Sequence, residues 1–200
     1  MPVERFTRAR LAAAPWKNGG GLTREIVCRP AGSDMDRFDW RVSIAEVSAD
    51  GAFSVFDGID RVIMLLEGNG VELRSADGSI DRRLSEPLAP FAFSGDASIS
   101  ASLIDGPSSD FNVMTRRATT CSAIQILGMP GKVAPAPGGV LLAMRGAWRV
   151  QEASDGDGNV VEHLQPGEGL WWHDEPREWN VATSDAGAAL IAVRISAREQ

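Results

Sequence analysis

Strict alternation of apolar and polar residues, broken at short intervals by turn sequences, constrains this 200-residue chain more than any other feature. Over Trp40-Arg41-Val42-Ser43-Ile44-Ala45-Glu46-Val47, and again over Ala97-Ser98-Ile99-Ser100-Ala101-Ser102-Leu103, apolar side chains recur at every second position. That period puts alternate side chains on opposite faces of a strand and does not suit an amphipathic helix. Asp50-Gly51, Asp57-Gly58, Gly68-Asn69-Gly70, Asp77-Gly78, Ser94-Gly95 and Asp105-Gly106 separate the runs, and such pairs favour tight turns. Many short strands joined this way predict an antiparallel all-β fold, closed or sandwiched.

The chain also echoes itself. "LLEGNGVELRSADGSIDRRLSEPLAPFAF" from Leu65 runs parallel to "LLAMRGAWRVQEASDGDGNVVEHLQPGEGLWW" from Leu141. Each copy leads from an apolar pair to a glycine, a strand, an Asp-Gly pair (Asp77-Gly78, Asp157-Gly158), a leucine (Leu84, Leu164) and an aromatic pair. Self-similarity of this kind predicts two structurally related halves. Between them "GMPGKVAPAPGG", residues 128–139, reads as a linker or long crossing loop because of its Pro and Gly content. The expected organisation is a first barrel over 1–127, a connection over 128–139 and a smaller second half over 140–200.

Composition narrows the function. With 20 basic against 27 acidic residues and a formal charge of -7, the chain lacks the basic excess that tracking a phosphate backbone requires, so no nucleic-acid partner is expected. Two cysteines, Cys28 and Cys121, occur without CxxC spacing, which suggests neither a disulfide framework nor a zinc site. The apolar patch near the N-terminus is too short for a signal-peptide core, and no uncharged apolar run reaches the length of a membrane span. The expected protein is cytoplasmic, with no membrane partner.

Two histidines, His163 and His173, are separated by Pro166 and two glycines, so they do not form the strand-spaced pair that a metal-dependent β-barrel enzyme uses. His173-Asp174-Glu175 reads as a solvated turn. No metal site, no cofactor and no catalytic nucleophile is expected.

Candidate binding chemistry gathers in three places. In "PWKNGGGLTREI", Lys17, Asn18 and the N–H groups of Gly19, Gly20 and Gly21 are donors delivered to the mouth of a β structure, an arrangement that suits a carboxylate or serves as a plain tight loop. The strand that follows places Thr23 and Glu25 on one face. Arg61 enters an apolar strand just after an Asp-Gly turn, where it must reach solvent or pair with an acid. "SSDFNVMTRR" puts Asp110, Asn112 and Met114 on one strand face; Asp and Asn are disfavoured in strands, so their presence beside Phe and Met suggests a lined pocket, or an Arg61–Asp110 ion pair that fixes a loop.

These strings, with "FDWRVSIAEVSADGAFSVFDGIDRVIMLLEGNG" between them, closely resemble the HutD/Ves family over most of the first 117 residues, and "LQPGEGLWW" is similar to the family's usual ending. The resemblance implies an RmlC-like cupin jelly roll in a two-cupin (bicupin) arrangement. It also implies an accessory protein of bacterial histidine utilisation that binds a pathway intermediate such as N-formylglutamate or urocanate and limits flux. The family's shared strings map onto Trp16, Asn18, Gly19 to Gly21, Thr23, Arg41, Arg61, Asp110, Asn112 and Met114. Val55-Phe56-Asp57-Gly58 stands where many relatives carry a proline before the glycine, and cupin metal ligands are absent.

The leading expectation is a sensor or binding module for a small-molecule carboxylate. Arg61 would pair with the carboxylate; Asn18, Thr23 and Asn112 would read amide or formyl groups; Asp110 would orient Arg61 or accept a ligand N–H; and Phe56 and Met114 would supply apolar wall. The alternatives are a metal-independent isomerase or hydrolase with Glu25 or Asp110 as general base, and a protein-interaction module. Exposed strand edges make a homodimer a further expectation.

Overall fold

The computed structural model describes residues 3–16, 19–33, 37–153 and 161–198. Among them the regular secondary structure is all strand apart from one short 3-10 turn at Arg8–Arg10. The strands are β1 (Glu4–Thr7), β2 (Ala13–Pro15), β3 (Gly21–Arg29), β4 (Trp40–Val47), β5 (Gly51–Ala52), β6 (Ile59–Gly68), β7 (Val71–Ser75), β8 (Asp81–Leu84), β9 (Phe91–Ser94), β10 (Ile99–Leu103) and β11 (Ser108–Arg116). They continue as β12 (Thr120–Leu127), β13 (Gly131–Ala136), β14 (Gly138–Arg145), β15 (Trp148–Glu152), β16 (Val161–Leu164), β17 (Glu168–Trp172), β18 (Arg177–Ala182) and β19 (Ala189–Ala197). No helix among the described residues is long and apolar enough to cross a membrane.

The internal echo is a duplication of topology. In the first half β6 pairs with β9 and β11, β7 with β8 and β10, β10 with β5, and β11 with β4. In the second half β14 pairs with β17 and β19, β15 with β16 and β18, and β18 with β13, while β12 lies beside β19. Shifting every strand number by eight maps one pattern onto the other. Each half is thus a two-sheet antiparallel jelly roll, the cupin architecture. The Asp157-Gly158 turn of the echo lies outside the described residues.

Contacts divide the chain into two compact units, Ala12–Cys121 with the C-terminal Arg198, and the N-terminal residues through Leu11 with Ser122–Ala197. This differs from the 1–127, 128–139 and 140–200 division expected from sequence. Strand β1 pairs with β17 of the second unit, an edge that would otherwise leave main-chain groups unpaired. The Pro/Gly-rich stretch contains a strand, β13, at the edge of its sheet and irregular between Val133 and Ala136, a setting in which proline's missing N–H is tolerated.

The two interiors differ. The second unit is filled by Trp148, Trp172 and Trp179 with Leu141, Leu164, Leu170 and Leu190, all essentially inaccessible. Indole N–H groups of Trp172 and Trp148 donate to the carbonyls of Ala136 and Arg145 at 2.9 and 3.1 Å, while the buried Nε1 of Trp179 has no partner. In the first unit Ile63, Val71, Leu73, Leu84, Ile99 and Ala101 form an apolar cluster between the sheets, with Phe53, Phe91 and Phe93 against it. Polar residues share the inner face that Ile63 marks.

Candidate functional site

Register fixes which side chains that face carries. On β11, Asp110, Asn112 and Met114 stand opposite Ala45, Ser43 and Arg41 of β4, and opposite Leu65, Ile63 and Arg61 of β6. On β3, Thr23, Glu25 and Cys28 stand opposite Ala45, Ser43 and Arg41, and on β9 Phe91 and Phe93 stand opposite Ile63 and Arg61. Because the pleat sends alternate residues to opposite faces, Thr23, Glu25, Arg41, Arg61, Asp110, Asn112 and Met114 share the face of Ile63. Register shifts at Glu25/Val27 and at Ser109/Asp110 mark bulges, irregularities that re-aim neighbouring side chains.

Arg61 is the centre of the cluster. It is only 8% exposed, and no carboxylate among the described residues lies within ion-pair distance of it. Its Nη2 donates to Asn112 Oδ1 at 3.0 Å and its Nη1 to the Ser54 carbonyl at 3.4 Å, while the buried Nε has no partner. Three phenyl rings surround the guanidinium carbon, with centroids at 5.4 Å (Phe53), 5.5 Å (Phe56) and 5.0 Å (Phe93). Arg61 neither reaches bulk solvent nor pairs with an acid of the described residues: aromatic faces, an amide oxygen and a main-chain carbonyl hold it. Burial, reinforced by the nearby Arg41 charge, pushes its pKa down to about 10, so it remains a cation at neutral pH.

Asp110 does not orient Arg61. Four residues along β11 separate it from Met114, which faces Arg61, so Asn112 takes that part. Asp110 is fully buried; Ser108 Oγ donates to its Oδ1 at 3.0 Å, and its Oδ2 has no partner. Burial pushes its pKa up to about 6 against the opposing Ser108 hydrogen bond.

Arg41 is also buried, and its Nε donates to Glu25 Oε2 at 2.7 Å, with Ser43 Oγ at 3.5 Å from Nη1. The Glu25 carboxylate is about half exposed, so it meets solvent on one side and Arg41 on the other. Thr23 Oγ1 accepts from Trp16 Nε1 at 2.7 Å, and Trp16 meets Phe53 edge-on at 6.4 Å. A continuous line of contacts therefore runs from Thr23 through Trp16 and Phe53 to Arg61. Met114 is buried with Phe38, Ile59, Cys28 and Phe56, which places both wall residues expected from sequence in one apolar cluster.

Backbone hydrogen bonds tie the described part of the glycine run to its neighbours, and they engage one of the three expected donors, the Gly19 N–H. Gly19 N–H donates to the Trp16 carbonyl at 3.0 Å, Trp16 N–H to the Gly21 carbonyl at 2.9 Å, and Ser48 N–H to the Gly20 carbonyl at 2.9 Å. Gly21 has a steric reason to be glycine: a Cβ there would collide with the Glu46 carbonyl oxygen. Gly19 adopts φ +72 with open space around it, a conformation glycine takes without strain. Lys17 and Asn18 lie outside the described residues.

Sequence reasoning missed Phe53, Phe93, Ser43, Ser54 and Ser108. Ser43 was recoverable, since it falls between Arg41 and Ala45 on the same side of an alternating strand; Phe93 comes from β9 and Phe53 from the segment that follows β5, and neither carries a local signal. His173, expected in a solvated turn, is instead buried, stacked on Trp171 at 5.5 Å with its Nδ1 2.6 Å from Asp174 Oδ2. Among the described residues no three His, Cys, Asp or Glu side chains gather into a set able to hold a metal ion. A surface depression of about 450 Å³ lies in the second unit beside Arg5, Arg10 and Glu168, but Arg5 is already bridged to Glu162 and Glu168 at 2.8 and 3.3 Å, and none of the Arg61 cluster lines it.

Known proteins share this framework. The family description HutD matches residues 8–191. The Protein Ves of Cronobacter sakazakii is 34% identical over 173 residues, covering 86% of this chain and 88% of its own. HutD from Pseudomonas fluorescens superposes with a TM-score of 0.82 at 29% identity, over 99% of this chain and all of that one. An oxalate decarboxylase from Lactobacillus farciminis shares the fold alone, with a TM-score of 0.63 at 10% identity over 96% of this chain and 85% of its own. The match to the family over nearly the whole chain, the Ves relative and the duplicated jelly roll lead to one conclusion: this chain belongs to the HutD family.

Proposed function

We propose that this protein binds a small organic acid of histidine catabolism, with N-formylglutamate and urocanate as the leading candidates, and that it acts as a sensor or regulator limiting pathway flux. The single observation that carries the reading is Arg61, a buried guanidinium with no carboxylate counter-ion among the described residues. An unpaired buried charge is costly, and a ligand carboxylate supplies the missing partner with the fork geometry that guanidinium favours. Nearby Arg41 adds positive potential, and the Asn112 amide N–H donors, which have no partner among the described residues, suit a formyl or carboxylate oxygen. The histidine connection comes from the family name.

Calorimetric titration with N-formylglutamate, urocanate, glutamate and histidine tests the reading. Saturable binding of at least one acid by the wild type, lost in Arg61→Met, is the expected result. No heat with any acid removes its support.

A second reading rests on Asp110. A buried carboxyl with its pKa near 6 is the kind of group that serves as a general base near neutrality, which favours a metal-independent enzyme acting on the same class of acid. Incubation with the same acids, with product formation followed by chromatography, separates the two. Sustained turnover that Asp110→Asn abolishes establishes the enzyme.

A further inference from the structure

We infer that the same site selects an acid that also carries an N–H donor, held by the unpartnered Oδ2 of Asp110, so that ligands of the site have a carboxylate at one end and an amide or azole N–H at the other. This rests on the carboxylate reading of Arg61 and adds a second pole to it.

Two unsatisfied buried atoms of opposite kind lie on one sheet face: Arg61 Nε, a donor, and Asp110 Oδ2, an acceptor. Native proteins leave few buried polar atoms unpaired, so each calls for a partner. Asn112 stands between them, hydrogen-bonded to Arg61 at 3.0 Å and two residues from Asp110 on β11, a separation of about 7 Å along a strand. Arg61 and Asp110 cannot satisfy each other, because the register sets Asp110 opposite Leu65 and Arg61 opposite Met114. Ser108 Oγ already serves the other oxygen of Asp110, and the remaining inner-face neighbours in its row, Ala45 and Leu65, offer no donor from their side chains. What completes the face is a molecule that accepts at Arg61 and donates at Asp110.

Charge points the same way. Between Asp110 and Met114 the face carries two cations, Arg41 and Arg61, and two acids, Glu25 and Asp110, with Arg41 and Glu25 joined in an ion pair, while Arg116 at the end of β11 is held by Asp39 and the Phe38 carbonyl. One cation and one acid are left over. A bare dicarboxylate would set like charge against Asp110, whereas an acid with an N–H donor meets both poles.

Titration calorimetry on the full chain with matched pairs of acids provides the test. One pair is urocanate and 3-(2-furyl)acrylate, in which a furan oxygen removes the ring N–H; the other is N-formylglutamate and the ester analogue in which oxygen replaces its N–H. Leaving a buried acceptor unpaired costs enough to change affinity about tenfold or more, so the donor-bearing acid of at least one pair should bind the wild type at least about tenfold more tightly. In Asp110→Leu that preference should shrink to about threefold or less, while affinity for the donor-free acid is kept. Retained binding of the donor-free acid shows that the variant is folded. Equal binding within both pairs in the wild type, or a preference that survives in Asp110→Leu, overturns the inference while leaving the carboxylate reading standing. No binding of any acid to the wild type overturns the carboxylate reading first and this one with it.

Discussion

Arg61 donates to Asn112 across 51 residues of sequence, at 3.0 Å, inside a cage of three phenylalanines. An amide oxygen orients a guanidinium without neutralising it. Arg61 thus keeps its charge in a place where charge is expensive, the kind of local instability that binding sites retain and cores remove.

Arg61→Met should therefore separate binding from stability. Loss of the fork that holds a carboxylate should weaken acid binding by about a hundredfold or more. Removal of a buried, unneutralised cation should leave the thermal midpoint of the unliganded protein unchanged or raise it by a few degrees. Calorimetry and thermal unfolding of the same variant check both halves. A midpoint several degrees lower would mean that the aromatic cage and the Asn112 bond stabilise the fold.

Asp110→Asn should make stability respond differently to pH. The folded-state pKa is raised from 3.8 to about 6, so between these values the native state holds a proton that the unfolded chain has released. Stability therefore falls as pH rises through this window, and the penalty is fully present above about pH 6. The two-unit shift corresponds to at most about 3 kcal/mol. The Asn variant, free of that penalty, should be more stable than wild type by about 1–3 kcal/mol at pH 8 and should converge with it near pH 4. Urea unfolding at pH 8, 6 and 4 measures the difference, and a constant gap across that range would assign the titration elsewhere.

Glu25→Gln should strengthen binding of an anionic acid. The half-exposed Glu25 carboxylate holds Arg41 at 2.7 Å, and its neutralisation leaves a second cation beside Arg61. Affinity for urocanate should rise about three- to tenfold and fall more steeply with added salt. Titrations at two ionic strengths read both effects; unchanged affinity and salt dependence would show that Arg41 lies outside the ligand's reach.

Two substitutions in the glycine run should differ in size. Gly21→Ala drives a methyl group into the Glu46 carbonyl, so β3 and β4 must separate locally at a cost of about 2–4 kcal/mol. Gly19→Ala meets open space and bears only the strain of a positive φ, about 1 kcal/mol. Chemical denaturation of the two variants gives the comparison, and equal losses would count against the close approach of the strands.

Much of this arrangement was legible before any coordinates. The Trp40–Val47 alternation became β4 residue for residue, and Asp110, Asn112 and Met114 share a face as their spacing required, because the pleat permits nothing else. The echo between Leu65 and Leu141 became the matched pairing of β6 to β9 and β14 to β17. The partner of Arg61 was a different matter. Asp110 was the chemically obvious choice, yet antiparallel register places it four residues too far along β11.

Period, parity and turn chemistry are local properties of a few consecutive residues, so the amino-acid order alone sufficed for strands, for faces and for a twofold repeat. Which face turned inward, which phenylalanines closed around Arg61 and why Asp110 kept one oxygen without a partner depended on sheet register and on the stacking of one sheet over another. Those are contacts between residues tens of positions apart, and their energy is realised only once the whole barrel is assembled.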